Sequence, residues 1–268
     1  MITADYHLHS AFSVDCREPM YNVVVSAIKK NLTEIVFTDH FETYYPDEPL
    51  ENVIDYNEYK WHLAELRKHF GEKITILLGS EINLELAKKD EINHIIQKYD
   101  FDYIIGSIHN IDFEDVARRS FYEGLSMDEY HEKYFQGMLR AVNAGFNYSA
   151  LGHVDLVARY GPYPNNRVNI QRQRQYLEPI LKKVIEDGKG IELNTSGLRY
   201  GVGDVHPSQY ILALYKQLGG EIITVGSDAH FAEDVAENFD FAEAVLKHFG
   251  FKYYTVFRKM KPQFIKLS

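Results

Sequence analysis

Seven short apolar runs recur along the chain: ITADYH (2–7), EIVFTDH (34–40), ITILLGSE (74–81), DYIIGSIH (102–109), YSALGH (148–153), GIELNTS (190–196) and EIITVGSDAH (221–230). Their length and their β-branched and aromatic content predict strands buried on both faces. Each is followed by a stretch with helical periodicity: 19–30, 55–70, 88–98, 128–144, 171–186, 208–218 and 234–249. In the first, Pro19 suits an opening helical turn, and Val23, Val24, Ala27 and Ile28 form an apolar stripe. Strand–helix alternation on this scale implies a mostly parallel sheet, closed or nearly closed into a barrel. No linker rich in Pro, Gly or Ser divides the chain, so residues 1–268 read as one domain. The tail YYTVF (253–257) reads either as an eighth strand or as an edge addition.

Composition narrows the function classes. With 29 Lys+Arg against 39 Asp+Glu, the net charge is −10. That disfavours nucleic acid as a partner, since binding there is driven by neutralising phosphates. No stretch approaches the roughly 18 apolar residues of a membrane span, and Asp5, His7 and His9 break up the first ten residues where a signal peptide would need an apolar core. A single cysteine, Cys16, has no partner within the chain and fits a reducing compartment. A cytoplasmic protein acting on a small molecule is the expectation.

The ends of the runs carry the chemistry. His7 and His9, His40, Glu81, His109, His153, then Asp228 and His230 close six of the seven runs. In a parallel barrel the C-terminal strand ends converge on one face, where active sites are built. His7 and His9 are two apart on a strand and so point the same way, as a chelating pair would. Asp228 and His230 would do likewise if the strand continues, whereas a turn would splay them toward different ions. Glu81 is placed to bridge two ions, and Asp15, in the loop after the first run, can reach inward as a ninth ligand. Nine ligands exceed the needs of one tetrahedral site, so two or three ions are expected. Imidazole and carboxylate donors, with almost no cysteine, point to ions that do chemistry rather than hold structure. Asp39, beside His40, is expected to orient an imidazole.

Taken in order, HxH (7–9), DH (39–40), GxE (79–81), SxH (107–109), GHxD (152–155) and SDAH (227–230) resemble the PHP (polymerase and histidinol phosphatase) superfamily over nearly the whole chain. GHVDLVARYGP (152–162) and ELNTSGLRYG (192–201) resemble its histidinol-phosphate phosphatase branch. The resemblance implies a distorted (β/α)7 barrel holding three divalent ions, zinc first, with manganese or iron as alternatives. It assigns one ion to His7, His9, Glu81 and Asp228, a second to Glu81, His109 and His153, and a third to Asp15, His40 and His230. It also implies hydrolysis of L-histidinol phosphate to L-histidinol and phosphate. A PHP phosphoesterase acting on nucleotides or phosphotyrosine, and a non-catalytic metal-binding regulator, are the alternatives.

A phosphate monoester needs donors beyond the metals. Arg159, six residues after His153, and Arg199, after the sixth run, are expected to clamp it, and with Glu81 they are the residues expected to carry catalysis. For the substrate's ammonium the candidates are Glu42, Asp155 and Asp204. Tyr160, with Tyr44, Tyr45, Tyr122 and Tyr200, is a candidate to pack on its imidazole.

Overall fold

The computed structural model describes residues 1–43, 54–163 and 165–268. Seven of the strands form a parallel sheet in the order β1 (Ala4–Leu8), β2 (Glu34–Phe37), β4 (Thr75–Asn83), β5 (Tyr103–Ser107), β8 (Ala150–Leu151), β9 (Gly190–Asn194) and β10 (Ile223–Gly226). The two-residue β3 (His40–Phe41) also pairs with β4. Beyond β10 the chain turns back onto β1: the His9 N–H donates to the Ala229 carbonyl at 3.0 Å and the Asp228 N–H to the His7 carbonyl at 2.9 Å. The sheet is thereby nearly closed into a barrel, and every run predicted as a strand contains one. The run 34–40 is interrupted between Phe37 and His40, where the Glu81 N–H lies 3.1 Å from the Thr38 carbonyl and 3.2 Å from that of Asp39.

The outer helices are α1 (Met20–Lys29), α2 (Tyr56–Phe70), α3 (Lys89–Lys98), α4 (Arg119–Tyr122), α5 (Met127–Val142), α6 (Ile170–Glu186), α7 (Ser196–Arg199), α8 (Gln209–Gln217) and α9 (Phe239–His248). Their apolar stripes face the sheet; on α1 these are Val23, Val24 and Ala27, and on α6 Leu177, Ile180, Leu181 and Val184. Caps fix where helices begin: Ser126 and Glu129 form a reciprocal capping box on α5, and the Asp55 side chain accepts from the Asn57 N–H at α2. A short hairpin, β6 (Asn110–Ile111) and β7 (Glu114–Asp115), rises beyond β5.

The tail resolves the open alternative. β11 (Tyr253–Arg258) pairs antiparallel with β12 (Lys261–Lys266) and joins no strand of the barrel sheet. This hairpin packs across the base of the barrel, at the N-terminal ends of the strands. There the Phe257 N–H donates to the Tyr6 hydroxyl at 2.7 Å, and the Phe257 ring lies 5.2 Å from that of Tyr103. Arg258 pairs with the buried Glu34 carboxylate. With the base filled by Tyr6, Tyr103 and Phe257, the open end is the one that carries the histidines.

Candidate metal centre

Glu81 is the hub. It sits on β4, 1 % exposed, with its two oxygens facing different groups. Oε2 lies 3.2 Å from His7 Nε2, 3.6 Å from His9 Nε2 and 3.1 Å from His40 Nδ1. Oε1 lies 2.8 Å from His153 Nε2 and 3.2 Å from His109 Nε2. His7, in β1, and His9, just beyond it, share a face as the spacing predicts, their Nε2 atoms 3.0 Å apart. Asp228 Oδ1 joins them, 3.3 Å from His9 Nε2 and 3.7 Å from His7 Nε2. On the opening side Asp15 Oδ2 lies 3.2 Å from His230 Nε2 and 3.5 Å from His40 Nε2.

β10 does not run on to His230. Asp228 adopts φ +54°, a left-handed backbone that turns the chain. The turn sends Asp228 toward His7 and His9, and His230 toward Asp15, its ring stacked 4.1 Å from that of His9.

These residues fit divalent metals. Among the described residues, four overlapping triples have ligand atoms within 4.8 Å of one another: His7–His9–Glu81, Glu81–His109–His153, His9–His40–His230 and His40–Glu42–His109. Two nitrogens bound to one tetrahedral zinc stand about 3.3 Å apart, close to the 3.0 Å of the His7–His9 pair and the 3.4 Å of His109–His153. Glu81 Oε2 and His40 Nδ1 are buried with no hydrogen-bond partner, which is what a coordinating atom looks like without its ion. The electrostatics agree. Burial works against the charge of Glu81, yet His7, His109 and His40 hold its carboxyl well below the usual range. Burial, with His230 and His40 nearby, pushes His9 down to about 3. Burial also opposes the charge on His109, but Glu81 and Glu42 outweigh it and raise that imidazole to about 10. The carboxylates thus draw protons onto neighbouring imidazoles, and a bound cation would take the place of those protons.

The structure shows which partners the other expected site residues have. Glu42, expected at an ammonium, receives the His109 Nδ1–H on Oε1 at 2.5 Å; it borders the cavity, but its direct task is to orient that imidazole. Asp155 is buried away from the cavity, accepting from His206 Nδ1 at 2.7 Å and from the Ser208 N–H at 2.8 Å. Asp204 accepts from the backbone N–H groups of Val205 and Gln209 near the start of α8. Asp39 serves His9 rather than the adjacent His40: it accepts from Ser13 Oγ at 2.7 Å, and Ser13 Oγ lies 3.0 Å from His9 Nδ1.

The arginines part company. Arg159 lines the cavity, donating to Ser196 Oγ at 2.6 Å and lying 3.4 Å from Asp228 Oδ2, with its guanidinium 4.1 Å from the centre of the Tyr200 ring. Arg199, expected as a second clamp, lies behind the Asp228 turn. Its guanidinium donates to the carbonyls of Ser227 at 3.0 Å and Asp228 at 2.8 Å and pairs with Glu237 at 2.8 Å. It follows a strand end as expected, but the four-residue α7 turns its side chain to the back of the Asp228 turn.

Tyr160 and Tyr200 border the cavity, Tyr122 packs against Tyr130 with ring centres 5.6 Å apart, and Tyr44 and Tyr45 lie outside the described residues. The cavity is about 550 Å³, with the metal-ligand cluster on one side and Val116, Leu156, Tyr160 and Asp115 among its other walls. That is a small-molecule volume. Sequence reasoning missed Glu192, a fully buried carboxylate that accepts from His7 Nδ1 at 2.6 Å. It also missed Ser107, which donates to Glu81 Oε1 at 2.6 Å. Glu192 stands between Ile191 and Leu193 in a strand run, and only alternation within that run hints that it faces the same interior as the candidate ligands.

The chain is similar to known proteins over most of its length. The PHP domain family model matches residues 5–196. A histidinol-phosphatase of Lactococcus lactis subsp. lactis is 34% identical over 261 residues, covering 96% of this chain and 95% of that protein. A Clostridium acetobutylicum protein named as a probable histidinol-phosphatase is 31% identical, covering 88% and 89%. The crystal structure of the histidinol phosphate phosphatase from Lactococcus lactis, complexed with zinc, L-histidinol and phosphate, superposes with a TM-score of 0.91 at 33% identity, covering 97% of this chain and 98% of that one.

Proposed function

The chain belongs to the PHP domain family, and from that premise we propose that it is a metal-dependent phosphomonoesterase hydrolysing L-histidinol phosphate to L-histidinol and phosphate, a step of histidine biosynthesis. The observation that carries the reading is the placement of Glu81 between two sets of imidazoles at the floor of a cavity that also presents Arg159. We read residues 1–268 as one catalytic unit.

Three ions are proposed, zinc first and manganese or iron as alternatives. His7, His9, Glu81 and Asp228 would hold one, Glu81, His109 and His153 a second, and Asp15, His40 and His230 a third. When bound, such ions neutralise phosphoryl oxygens and lower the pKa of water so that hydroxide is available near neutral pH. The protein supplies the rest. Glu81 fixes the two ligand sets relative to each other through a single carboxylate. Arg159 presents N–H donors to the phosphoryl group from beside Asp228, a match of geometry and charge that a lysine would not reproduce. Leu156, Val116 and Tyr160 wall the cavity beside the cluster.

The test is phosphate release by zinc-loaded protein from L-histidinol phosphate, nucleoside monophosphates and phosphotyrosine at equal concentration. The reading expects histidinol phosphate to lead in kcat/KM by at least tenfold. A nucleotide or phosphotyrosine leading instead would keep the chemistry and overturn the substrate.

A further inference from the structure

We propose that Glu192 is a positioning residue shared by two of the ion sites, so that one carboxylate ties the retention of one ion to that of another. The inference rests on the metal-centre reading above. Glu192 lies on β9 and is fully buried. Its Oε1 accepts from His7 Nδ1 at 2.6 Å, and its Oε2 accepts from the His153 backbone N–H at 3.0 Å and from Asn194 Nδ2 at 3.2 Å. His7 faces the His9–Asp228 side of Glu81, whereas His153 faces the His109 side. The first contact places the proton of His7 on Nδ1 and leaves the Nε2 lone pair directed at the cluster. The second anchors the backbone from which His153 reaches Glu81.

The neighbouring strands leave room for this carboxylate. Gly226 on β10 faces it, and a Cβ there would stand 2.4 Å from Glu192 Oε1 and 2.4 Å from His7 Cβ. Glu192 has no lysine or arginine partner among the described residues; its ion pair is with His7. A buried carboxylate paired only with a ligand imidazole makes that imidazole a stronger donor and adds negative charge behind the ions. Glutamine cannot reproduce both contacts. It has one oxygen and one NH₂ group, so either His7 Nδ1–H or the His153 N–H would face a donor.

The test compares zinc-loaded wild type, Glu192→Gln and Glu34→Gln across a chelator series, with bound zinc read by elemental analysis and the melting temperature read on the same samples. Glu34 is the control: it is also buried and ion-paired, but at the barrel base with Tyr6 and Arg258. We expect Glu192→Gln to lose zinc at roughly tenfold to a hundredfold lower chelator, with more than one ion leaving in the same step. Glu34→Gln should melt lower yet retain zinc as wild type does. Wild-type retention in Glu192→Gln, whatever its melting temperature, would make Glu192 a packing residue and overturn the proposal. Loss of a single ion with the others held would overturn the shared role. If Glu192→Gln is recovered only as insoluble protein, Glu192→Asp gives the same readout with the charge kept and the reach shortened: reduced retention supports the proposal and equal retention overturns it. Wild-type protein that takes up no zinc would instead sink the metal-centre reading itself.

Discussion

Arg199 donates to the carbonyl oxygen of Asp228 at 2.8 Å, on the side of that residue away from the cavity. Asp228 holds a left-handed backbone at φ +54°, a conformation a non-glycine residue keeps only when its surroundings enforce it. Arg199 is therefore a brace for the turn that aims the Asp228 carboxylate at His7 and His9.

From this the two arginines should fail differently. Arg159→Ala should lower kcat/KM about tenfold to a hundredfold, as expected for loss of a charge-assisted bond of roughly 1.5–3 kcal/mol, with little change in Tm and no recovery in excess zinc. Arg199→Ala should lower Tm by several degrees and weaken zinc retention, and saturating zinc should restore most of its activity. Steady-state kinetics at two zinc concentrations beside a melting curve decides. A zinc-independent loss in Arg199→Ala at wild-type Tm would return that residue to the phosphate.

Glu81→Gln keeps the shape of the hub and removes the charge that both ligand sets face. It should reduce kcat/KM by more than about a hundredfold, over about 2.7 kcal/mol of transition-state stabilisation. His94→Asn, on the exposed face of α3, should stay within about twofold. Similar losses in the two variants would mean that position at a strand end has no bearing on activity.

The histidines predict opposite pH behaviour with and without metal. In chelated protein His109 is raised to about 10, burial being outweighed by Glu81 and Glu42, so its contribution to stability is full below about 6.5 and is lost as pH rises through about 10. His9 is lowered to about 3, by burial and then by His230 and His40, so it destabilises the fold as pH falls below about 6.5. Chelated protein should therefore melt highest near pH 6.5 and clearly lower at pH 9.5. Zinc requires neutral imidazoles, so loaded protein should keep its Tm over that range, and zinc added at pH 8 should release protons. Melting curves in paired chelated and loaded samples test this; identical profiles would argue against the cluster as a zinc site.

The candidate ligands are legible in the sequence because the barrel brings strand ends together and six of the seven runs close on a histidine or carboxylate. His7, His40, Glu81, His109, His153 and Asp228 needed only that rule. What the rule cannot supply is the direction of a side chain on an irregular turn. Arg159 and Arg199 both follow strand ends, yet the short 3-10 turn Leu156–Arg159 presents one to the cavity while α7 presents the other to the back of a loop. The partners of Glu42, Asp155 and Asp204 are hidden from the sequence for the same reason: a carboxylate on a loop is satisfied by whichever donor packs nearest, here His109, His206 and the start of α8. The β11–β12 hairpin was ambiguous because its alternation fits an eighth barrel strand as well as a plug, and only the closure of β10 onto β1 excludes the former.

The central claim is that hydrolysis depends on several ions gathered around Glu81. The most direct measurement is a zinc titration of fully chelated protein, following phosphate release from L-histidinol phosphate against zinc bound per chain. The account predicts no turnover in the metal-free protein, little at one ion per chain, and a steep rise that levels as three are bound. Turnover in protein shown to be metal-free, or full activity at a single ion per chain, would contradict it.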